Sequence, residues 1–139
     1  MNAKTVKIGL IGYGTVGTGV CRVLSENADV IRARTGLNLD LARVVDKDTQ
    51  SPRPFVLPGG VLSSDLDALL NDSSIDIAVE LVGGTTFARE LVLKLLASGK
   101  HVVTANKALL AEHGPELYRA ALKAGRCIAF EASCCGGIP

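Results

Sequence analysis

The glycine-rich stretch from Val6 to Gly17 constrains the fold more than any other part of the chain. An apolar run typical of a buried strand continues into Gly-x-Gly-x-x-Gly, and a helical pattern opens at Thr15 and Val16. A strand, a glycine turn and a helix in this order are typical of dinucleotide-binding domains. The alternative is a tight turn without a ligand, because glycine-rich turns also close ordinary βα units.

Each glycine of the motif has a predicted role. Gly12 permits the tight turn, Gly14 lets the backbone approach a pyrophosphate, and Gly17 lets the helix pack close to the strand. The free N–H groups and the dipole of the helix N-terminus, at Thr15 and Val16, favour the phosphate charge. We therefore expect these five residues to bind the cofactor.

Apolar patterning predicts that strands and helices alternate along the chain. The predicted strands are residues 6–11, 37–45, 75–82, 101–104 and 126–132. The predicted helices are residues 15 to about 34, a short helix around 66–70 capped by Ser63 or Ser64, a helix around 88–96, a turn through 106–110 and a helix from Pro115 to about 124, with a surface loop over 49–60. This alternation predicts an α/β fold with a doubly wound, mostly parallel sheet of the Rossmann type.

The carboxyl ends of parallel strands lie at one edge of the sheet, where ligands bind in such folds. Polar or glycine-rich residues follow every predicted strand: Gly12–Gly14, Asp46–Lys47, Gly83–Thr85, Thr104–Lys107 and Glu131–Ser133. We expect these strand ends to meet and to supply further cofactor-binding residues, namely Gly83, Gly84, Thr85, Thr104, Asn106 and Lys107. This convergence favours the ligand-binding interpretation of the glycine turn.

The second strand is expected to end beside the adenosine ribose. Asp46 is suited to accept hydrogen bonds from both ribose hydroxyls, which favours NAD, whereas Lys47 is suited to attract the 2′-phosphate of NADP. Because these two residues favour opposite cofactors, we expect either NAD or NADP to be accepted. The alternative is a solvated pair of loop charges.

Lys107 follows the fourth strand at the predicted cleft, where its ammonium is suited to polarise a carbonyl oxygen or to bind an acidic group. Without this context, the better interpretation is an ordinary surface lysine. Thr85 and Thr86 have the alternative role of helix N-caps. His101 and His113 are expected to be structural or exposed.

Charge and composition exclude several classes of function. The 139 residues include 15 basic and 14 acidic side chains without a basic stripe, so we expect neither nucleic-acid nor membrane binding. The sequence shows no signal-peptide pattern and no apolar run of membrane length. The four cysteines form no C-x-x-C pair, which favours a reduced, cytoplasmic protein. We expect Cys21 and Cys127 to be small core hydrophobes and Cys134 and Cys135 to be free thiols.

Four motifs in the same order resemble homoserine dehydrogenases: the glycine-rich opening, Val79–Gly84, Thr104–Leu110, and Phe130–Ser133 with Gly136–Pro139. The resemblance covers essentially the whole chain and corresponds to the N-terminal, nucleotide-binding half of that family. It implies an NAD(P)-binding Rossmann domain over residues 1–132 and the start of a hinge over residues 133–139. It also implies a catalytic and dimerisation domain beyond Pro139, so that the full-length parent is a homo-oligomer.

Homoserine dehydrogenases interconvert homoserine and aspartate 4-semialdehyde by hydride transfer with NADPH or NADH, in threonine and methionine biosynthesis. The resemblance implies that Lys107 lies between cofactor and substrate and is a catalytic residue that orients the substrate oxygen. Glu131 and the backbone oxygens of Cys134, Gly136 and Ile138 match a structural site for a monovalent cation, sodium, and such oxygen ligands suit a hard cation. The alternative for Glu131 is a strand-end carboxylate bonded to nearby backbone.

Two departures from the family pattern bear on activity. Cys134 and Cys135 stand where the family has two small apolar residues, which preserves backbone ligation but adds a risk of thiol oxidation. The acid–base lysine and aspartate of the family's catalytic domain have no counterpart in this sequence. We therefore expect the chain alone to bind NAD(P)H and to turn over homoserine poorly or not at all.

Two other functions stay open. A nucleotide-sensing regulatory module of the Rossmann type needs no catalytic half, although it does not need Lys107 either. A related dehydrogenase acting on another small aldehyde or alcohol is the third hypothesis, because substrate choice depends mainly on the catalytic domain.

Overall fold

A computed structural model describes residues 3–134 of the chain. Within this range the strands are β1 (Lys4–Ile11), β2 (Leu37–Val45), β3 (Leu62–Ser63), β4 (Ile77–Glu80), β5 (His101–Thr104) and β6 (Ile128–Ala129). The helices are α1 (Thr15–Glu26), α2 (Ala28–Thr35), α3 (Leu66–Leu70), α4 (Thr86–Ala97), α5 (Lys107–Ala124) and α6 (Glu131–Cys134). None of the described helices is long and apolar enough to cross a membrane.

The strands form one parallel sheet in the order β3-β2-β1-β4-β5-β6. The chain runs outward from β1 to β3 on one side and then returns to place β4 on the other side of β1. Ile11 at the end of β1 therefore lies between Val45 of β2 and Glu80 of β4. The predicted α/β Rossmann-type fold is confirmed, and its switch in strand order falls between β1 and β4, where doubly wound sheets bind their ligands.

Apolar side chains cover both faces of the sheet, because successive residues of a strand point to opposite faces. One core contains Ile11, Val45, Ala78 and Val102 with the buried faces of α4 and α5. The other contains Ile8, Leu10, Val44 and Val79 with Cys21 of α1 and the Tyr13 ring. Strands buried on both faces explain the near-continuous Val, Ile and Leu runs of the sequence.

The predicted helix from residue 15 to about 34 is interrupted at Asn27. The Asn27 backbone has φ −109° and ψ 18°, and its side-chain amide donates to the Val23 carbonyl at 3.2 Å. Asparagine competes for backbone hydrogen bonds in this way and so disfavours a helix interior. The prediction of one continuous helix was wrong at this residue, and α1 and α2 follow one another separately.

The turn and helix predicted between Asn106 and Ala124 form one helix, α5, with Pro115 inside it. The Asn106 side chain accepts a hydrogen bond from the Leu109 N–H at 3.0 Å and so caps the helix well before the proline. Buried Leu109 and Leu117 hold both halves against the core, which outweighs the hydrogen bond that proline cannot donate. Pro115 as a helix start was therefore a wrong prediction.

Other differences are local. Asp65, and not Ser63 or Ser64, caps α3 by accepting a hydrogen bond from the Ala68 N–H at 2.9 Å. The short edge strand β3 was not predicted, and β6 is shorter than the predicted strand 126–132. Glu131 therefore begins helix α6 instead of ending a strand.

The cysteines have different environments. Cys21 is buried as predicted, and burial raises the pKa of its thiol to about 11. Cys127 is exposed, so its prediction as a core residue was wrong; it lies just before the edge strand β6 instead of within it. Cys134 is an exposed free thiol, and Cys135 lies outside the described residues.

Candidate dinucleotide-binding site

Two glycines of the turn are required by packing within the protein. Gly12 has φ +102°, and its N–H donates to the Val45 carbonyl at 2.9 Å. A Cβ atom at Gly12 would lie 2.7 Å from the Leu81 carbonyl oxygen, and one at Gly17 would lie 1.9 Å from the Gly12 carbonyl oxygen. Any side chain at either position would therefore displace backbone.

Gly14 differs from these two glycines. Its φ of −77° is accessible to any residue, and a Cβ built there meets no atom of the described chain within 4 Å. Gly14 also occupies the N-cap of α1, so it has no side chain with which to cap the first N–H groups of that helix. The open space and the uncapped N–H groups together fit the approach of an anionic group such as a pyrophosphate.

A cleft of about 660 Å³ opens beside Gly14 at the carboxyl edge of the sheet. This size is typical of a small-molecule site. The cleft is lined by Ile11, Gly12, Gly14, Val45, Asp46, Lys47, Ser64, Leu66, Leu81, Val82, Gly83 and Phe87. It therefore follows the switch point between β1 and β4 and extends past the end of β2.

The end of β2 is tied to the glycine turn through Asp46. One carboxylate oxygen of Asp46 accepts a hydrogen bond from the Tyr13 N–H at 2.5 Å, and the other accepts one from the Asp48 N–H at 2.9 Å. Asp46 therefore fixes the turn itself as well as lining the cleft. Lys47 is exposed, and its Nζ lies 5.9 Å from the centroid of the Phe87 ring, which also lines the cleft.

The surface loop over residues 49–60 covers the outside of the glycine turn, a contact that was not predicted from the sequence. The Tyr13 side chain is 1% exposed, and its hydroxyl donates to the Phe55 carbonyl at 2.5 Å. Arg53 Nε donates to the Tyr13 carbonyl at 2.8 Å, and its guanidinium lies 5.7 Å from the Tyr13 ring centroid. The glycine turn is thus held by β2 on one side and by this loop on the other.

A buried carboxylate connects the ends of β4 and β5. Glu80 is 0% exposed; its Oε1 accepts a hydrogen bond from the Val82 N–H at 2.9 Å, and its Oε2 accepts one from the Thr104 hydroxyl at 2.5 Å. The Thr104 hydroxyl oxygen in turn accepts from the Asn106 N–H at 3.0 Å. Asn106 Nδ2 donates to the Gly84 carbonyl at 2.6 Å. These five residues form the Glu80 network.

No role for Glu80 was predicted from the sequence. The available signal was a carboxylate inside the otherwise apolar run Ile77–Val82, where a strand buried on both faces is expected to be apolar throughout. Its hydrogen-bond partners depend on which strands are neighbours, and that pairing is a property of the fold.

The predicted site residues fall into two groups. Gly12, Gly14, Asp46, Lys47 and Gly83 line the cleft together. The other predicted residues do not line this cleft. Gly17 and Thr104 are buried, Val16 is 59% exposed, and Thr15 lines a separate pocket that Gly14 also borders. Gly84 and Thr85 follow the cleft-lining glycine, and Asn106 and Lys107 lie at the start of α5. Thr85 occupies the N-cap position of α4, as the alternative interpretation predicted, but its side chain makes no capping hydrogen bond; Thr86 is the first residue of the helix.

Lys107 is the first residue of α5 and is exposed. Its helix is capped by Asn106, which also contacts Gly84 of the β4–α4 loop. Because of this contact, the helix that carries Lys107 begins beside the loop whose glycine lines the cleft.

The predicted cation ligands lie at the end of the described range. Glu131 and Cys134 begin and end α6, whereas Gly136 and Ile138 lie outside the described residues. Among residues 3–134, no group of three or more His, Cys, Asp or Glu side chains is arranged to hold a metal ion.

Residues 12–131 match the family model described as homoserine dehydrogenase, NAD binding domain. The chain belongs to this family. The homoserine dehydrogenase of Pseudomonas aeruginosa is 44% identical to this NAD-binding domain over 137 residues, which are 98% of this chain and 31% of that protein. The chain thus spans about a third of the length of the curated relatives it matches.

Solved structures agree with this assignment. Homoserine dehydrogenase from S. aureus at pH 8.5 has a TM-score of 0.88 and 36% identity, over 96% of this chain and 34% of that chain. The enzyme from Thiobacillus denitrificans has a TM-score of 0.82 and 39% identity, over 94% of this chain and 30% of that chain. The predicted family is confirmed. The predicted class of cofactor, a nicotinamide dinucleotide, is confirmed as well.

Proposed function

We propose that this NAD-binding domain holds NADPH or NADH for a homoserine dehydrogenase, which interconverts homoserine and aspartate 4-semialdehyde in the cytoplasm during threonine and methionine biosynthesis. The observation that carries the proposal is the open space at Gly14. The fold has room for a larger residue there, but a side chain would block a pyrophosphate that approaches the first turn of α1. The family assignment of residues 12–131 supports the same function.

The cleft supports acceptance of either cofactor. Asp46 presents carboxylate oxygens that each retain acceptor capacity beyond one backbone hydrogen bond, as a ribose requires. Lys47 supplies an exposed cation on the same strand end, suited to a 2′-phosphate. Gly83, with φ +72°, brings backbone to the cleft wall without a side chain.

Lys107 is proposed as the catalytic residue of this domain. The bound cofactor supplies or accepts the hydride, and the Lys107 ammonium orients the oxygen of the substrate and stabilises charge on it. Replacing Lys107 with Met in an active homoserine dehydrogenase that contains this sequence is expected to lower kcat by ~10²-fold or more. An unchanged kcat would remove Lys107 from the mechanism.

The cation site at Glu131, Cys134, Gly136 and Ile138 remains a proposal on chemical grounds. A carboxylate and backbone carbonyls are oxygen donors that a hard monovalent cation such as sodium accepts. The proposed ligands lie close together in the sequence at the start of the hinge. Replacing Glu131 with Gln should remove any dependence of thermal stability on sodium relative to a bulky organic cation.

A glycine substitution tests the cofactor site. Gly14→Ala is expected to weaken NADPH and NADH binding by at least ~10-fold, which corresponds to about 1.4 kcal/mol, while the chain still folds. Gly19→Ala is the matched control, because Gly19 lies inside the helix that follows Gly14 and a Cβ there also meets no described atom within 4 Å. Binding is measured by titrating the fluorescence of the reduced cofactor, and folding by circular dichroism.

Two outcomes would contradict the proposal. If the unmodified chain shows no saturable binding of NADPH or NADH, the cofactor site itself is wrong. If Gly14→Ala binds both cofactors as tightly as Gly19→Ala, the pyrophosphate does not lie at Gly14.

A further inference from the structure

We infer that Glu80 is a positioning residue: its buried carboxylate holds the β4–α4 loop and the start of α5 in the single arrangement that binds the cofactor. The inference rests on the proposed function of the cleft. Glu80 does not line the cleft, and it acts through Val82, Thr104 and Asn106.

The fold alone does not require a carboxylate in β4. The preceding residues Ala78 and Val79 are buried and apolar, and a buried charge is often no more stabilising than an apolar side chain of similar volume. A carboxylate withdrawn from water must instead be satisfied by donors. Both oxygens of Glu80 accept a hydrogen bond, one from Val82 just after β4 and one from Thr104 at the end of β5.

The hydrogen bonds of the Glu80 network form a closed ring with the backbone of Val82 and Gly83, which line the cleft. From Glu80 it passes through the Thr104 hydroxyl to the Asn106 N–H, and from the Asn106 side chain to the Gly84 carbonyl. The backbone then returns through Gly83 to Val82, whose N–H donates to Glu80. Every member is fixed by the next one, so the loop and the helix start are coupled.

The loop enclosed by this network needs an external constraint. Gly83 and Gly84 have φ +72° and +69°, and adjacent glycines have more conformations available than any other residue pair. Gly83 lines the cleft, so an ordered conformation there determines the shape that the cofactor meets. Restricting this pair before binding reduces the entropy lost when the cofactor binds.

The network also constrains the start of α5. The Asn106 N–H donates to Thr104, and its side chain both caps the helix and reaches Gly84. Lys107 is the next residue, so the direction in which it leaves the backbone follows from the same hydrogen bonds. Loss of the Glu80 carboxylate is therefore expected to disturb the cofactor loop and the lysine together.

The test uses two substitutions that preserve shape. Glu80→Gln replaces one acceptor oxygen with an NH2 donor, so that either the Val82 N–H or the proton of the Thr104 hydroxyl loses its acceptor. Thr104→Val removes the hydroxyl while leaving Glu80 in place. Both variants are expected to bind NADPH roughly 10-fold more weakly than the unmodified chain. Thr104→Ser keeps the hydroxyl and is expected to bind like the unmodified chain.

Lys100→Met is the control for stability. Lys100 is also a buried ionisable side chain, but its Nζ donates to the Leu70 carbonyl and to Ser98, away from the network. Its loss is expected to lower the melting temperature without changing the NADPH dissociation constant. Amide hydrogen exchange supplies a second readout, since residues 82–85 should exchange faster in Glu80→Gln and not in Lys100→Met.

The results separate this inference from the proposed function. If the unmodified chain binds NADPH and both Glu80→Gln and Thr104→Val bind it equally well, the inference is overturned while the cofactor site stands. Equal weakening in Lys100→Met would also overturn it, because binding would then follow stability. If Glu80→Gln does not fold, Thr104→Val decides. If the unmodified chain does not bind, the proposed function fails and the inference with it.

Discussion

The two ends of the sheet each bury an ionisable side chain, but for different purposes. At the carboxyl edge, Glu80 accepts hydrogen bonds from Val82, which lines the cleft, and from Thr104 at the end of β5. At the opposite edge, Lys100 is 1% exposed, and its Nζ donates to the Leu70 carbonyl at 2.9 Å and to the Ser98 hydroxyl at 3.4 Å. Leu70 is the last residue of α3, where helix carbonyls need donors.

The partners explain the difference. Lys100 joins the ends of α3 and α4 to the start of β5, and the nearby Arg43 side chain pairs with Asp72 just after α3. These contacts hold helices to the sheet and do not line the described cleft. Lys100 at the amino edge therefore contributes to stability, whereas Glu80 at the carboxyl edge also positions the loop that lines the cleft.

The largest expected change in stability lies at the carboxyl edge, where an alanine at Gly17 should destabilise the fold strongly and an alanine at Gly14 should mainly weaken cofactor binding. Gly17→Ala places a Cβ 1.9 Å from the Gly12 carbonyl oxygen, so the turn or α1 must move. We expect a loss of at least about 3 kcal/mol in the free energy of unfolding, or failure to fold. Urea unfolding followed by circular dichroism measures it, with Gly19→Ala as the control. A loss below about 1 kcal/mol would show that the turn is more adaptable than its geometry indicates.

A smaller change in stability is expected at the amino edge of the sheet. Lys100→Met removes the hydrogen bonds to Leu70 and Ser98 and is expected to lower the free energy of unfolding by about 1–2 kcal/mol. Part of the loss is offset because burial lowers the pKa of the Lys100 ammonium, which means that its charged form is disfavoured in the fold. Urea unfolding checks the value; a variant as stable as the unmodified chain would mean that Lys100 only fills space.

The smallest effect is a pH dependence at the same edge. Hydrogen bonds from Ser74, and then from Arg43, lower the pKa of Asp72 from 3.8 to about 2. Because the folded state holds the ionised form more strongly, this stabilisation is complete above the unfolded pKa and is lost as the pH falls from 3.8 towards 2. Asp72→Asn should therefore make stability fall less steeply in that range.

At neutral pH the Asp72→Asn change should cost less than about 1 kcal/mol, because the ion pair with Arg43 is partly exposed. Ser74→Ala removes the leading cause and should reproduce part of the flattening. Thermal unfolding at a series of pH values measures both variants. If the melting temperature of both variants falls with decreasing pH as steeply as that of the unmodified chain, Asp72 does not contribute to acid unfolding.

Patterns within one strand or turn were sufficient for much of this fold. The strands Leu37–Val45 and His101–Thr104 were predicted with the bounds that the structure has, because apolar runs end there at polar or glycine residues. The convergence of Gly12, Asp46 and Gly83 on one cleft followed from parallel topology.

Contacts between distant segments could not be predicted in this way. The bond from Thr104 to Glu80 depends on β4 and β5 being neighbours in a particular register, and Tyr13 meets Phe55 through a loop without periodic pattern. The continuation of α5 through Pro115 depends on packing of Leu109 and Leu117 and not on local preference. These contacts between distant segments hold the glycine turn and the start of α5 in place.

The loop that covers the glycine turn has a consequence for cofactor recognition. Tyr13 and Arg53 fix the turn from outside, and Asp46 fixes it from the sheet, before any ligand arrives. A binding site that is already ordered loses little conformational entropy on association, so more of the contact free energy remains as affinity. Loosening the loop, for example with Tyr13→Phe, should accordingly weaken binding through a less favourable entropy, which calorimetry resolves. The surface loop over residues 49–60 thus influences the affinity for the cofactor without having to contact it.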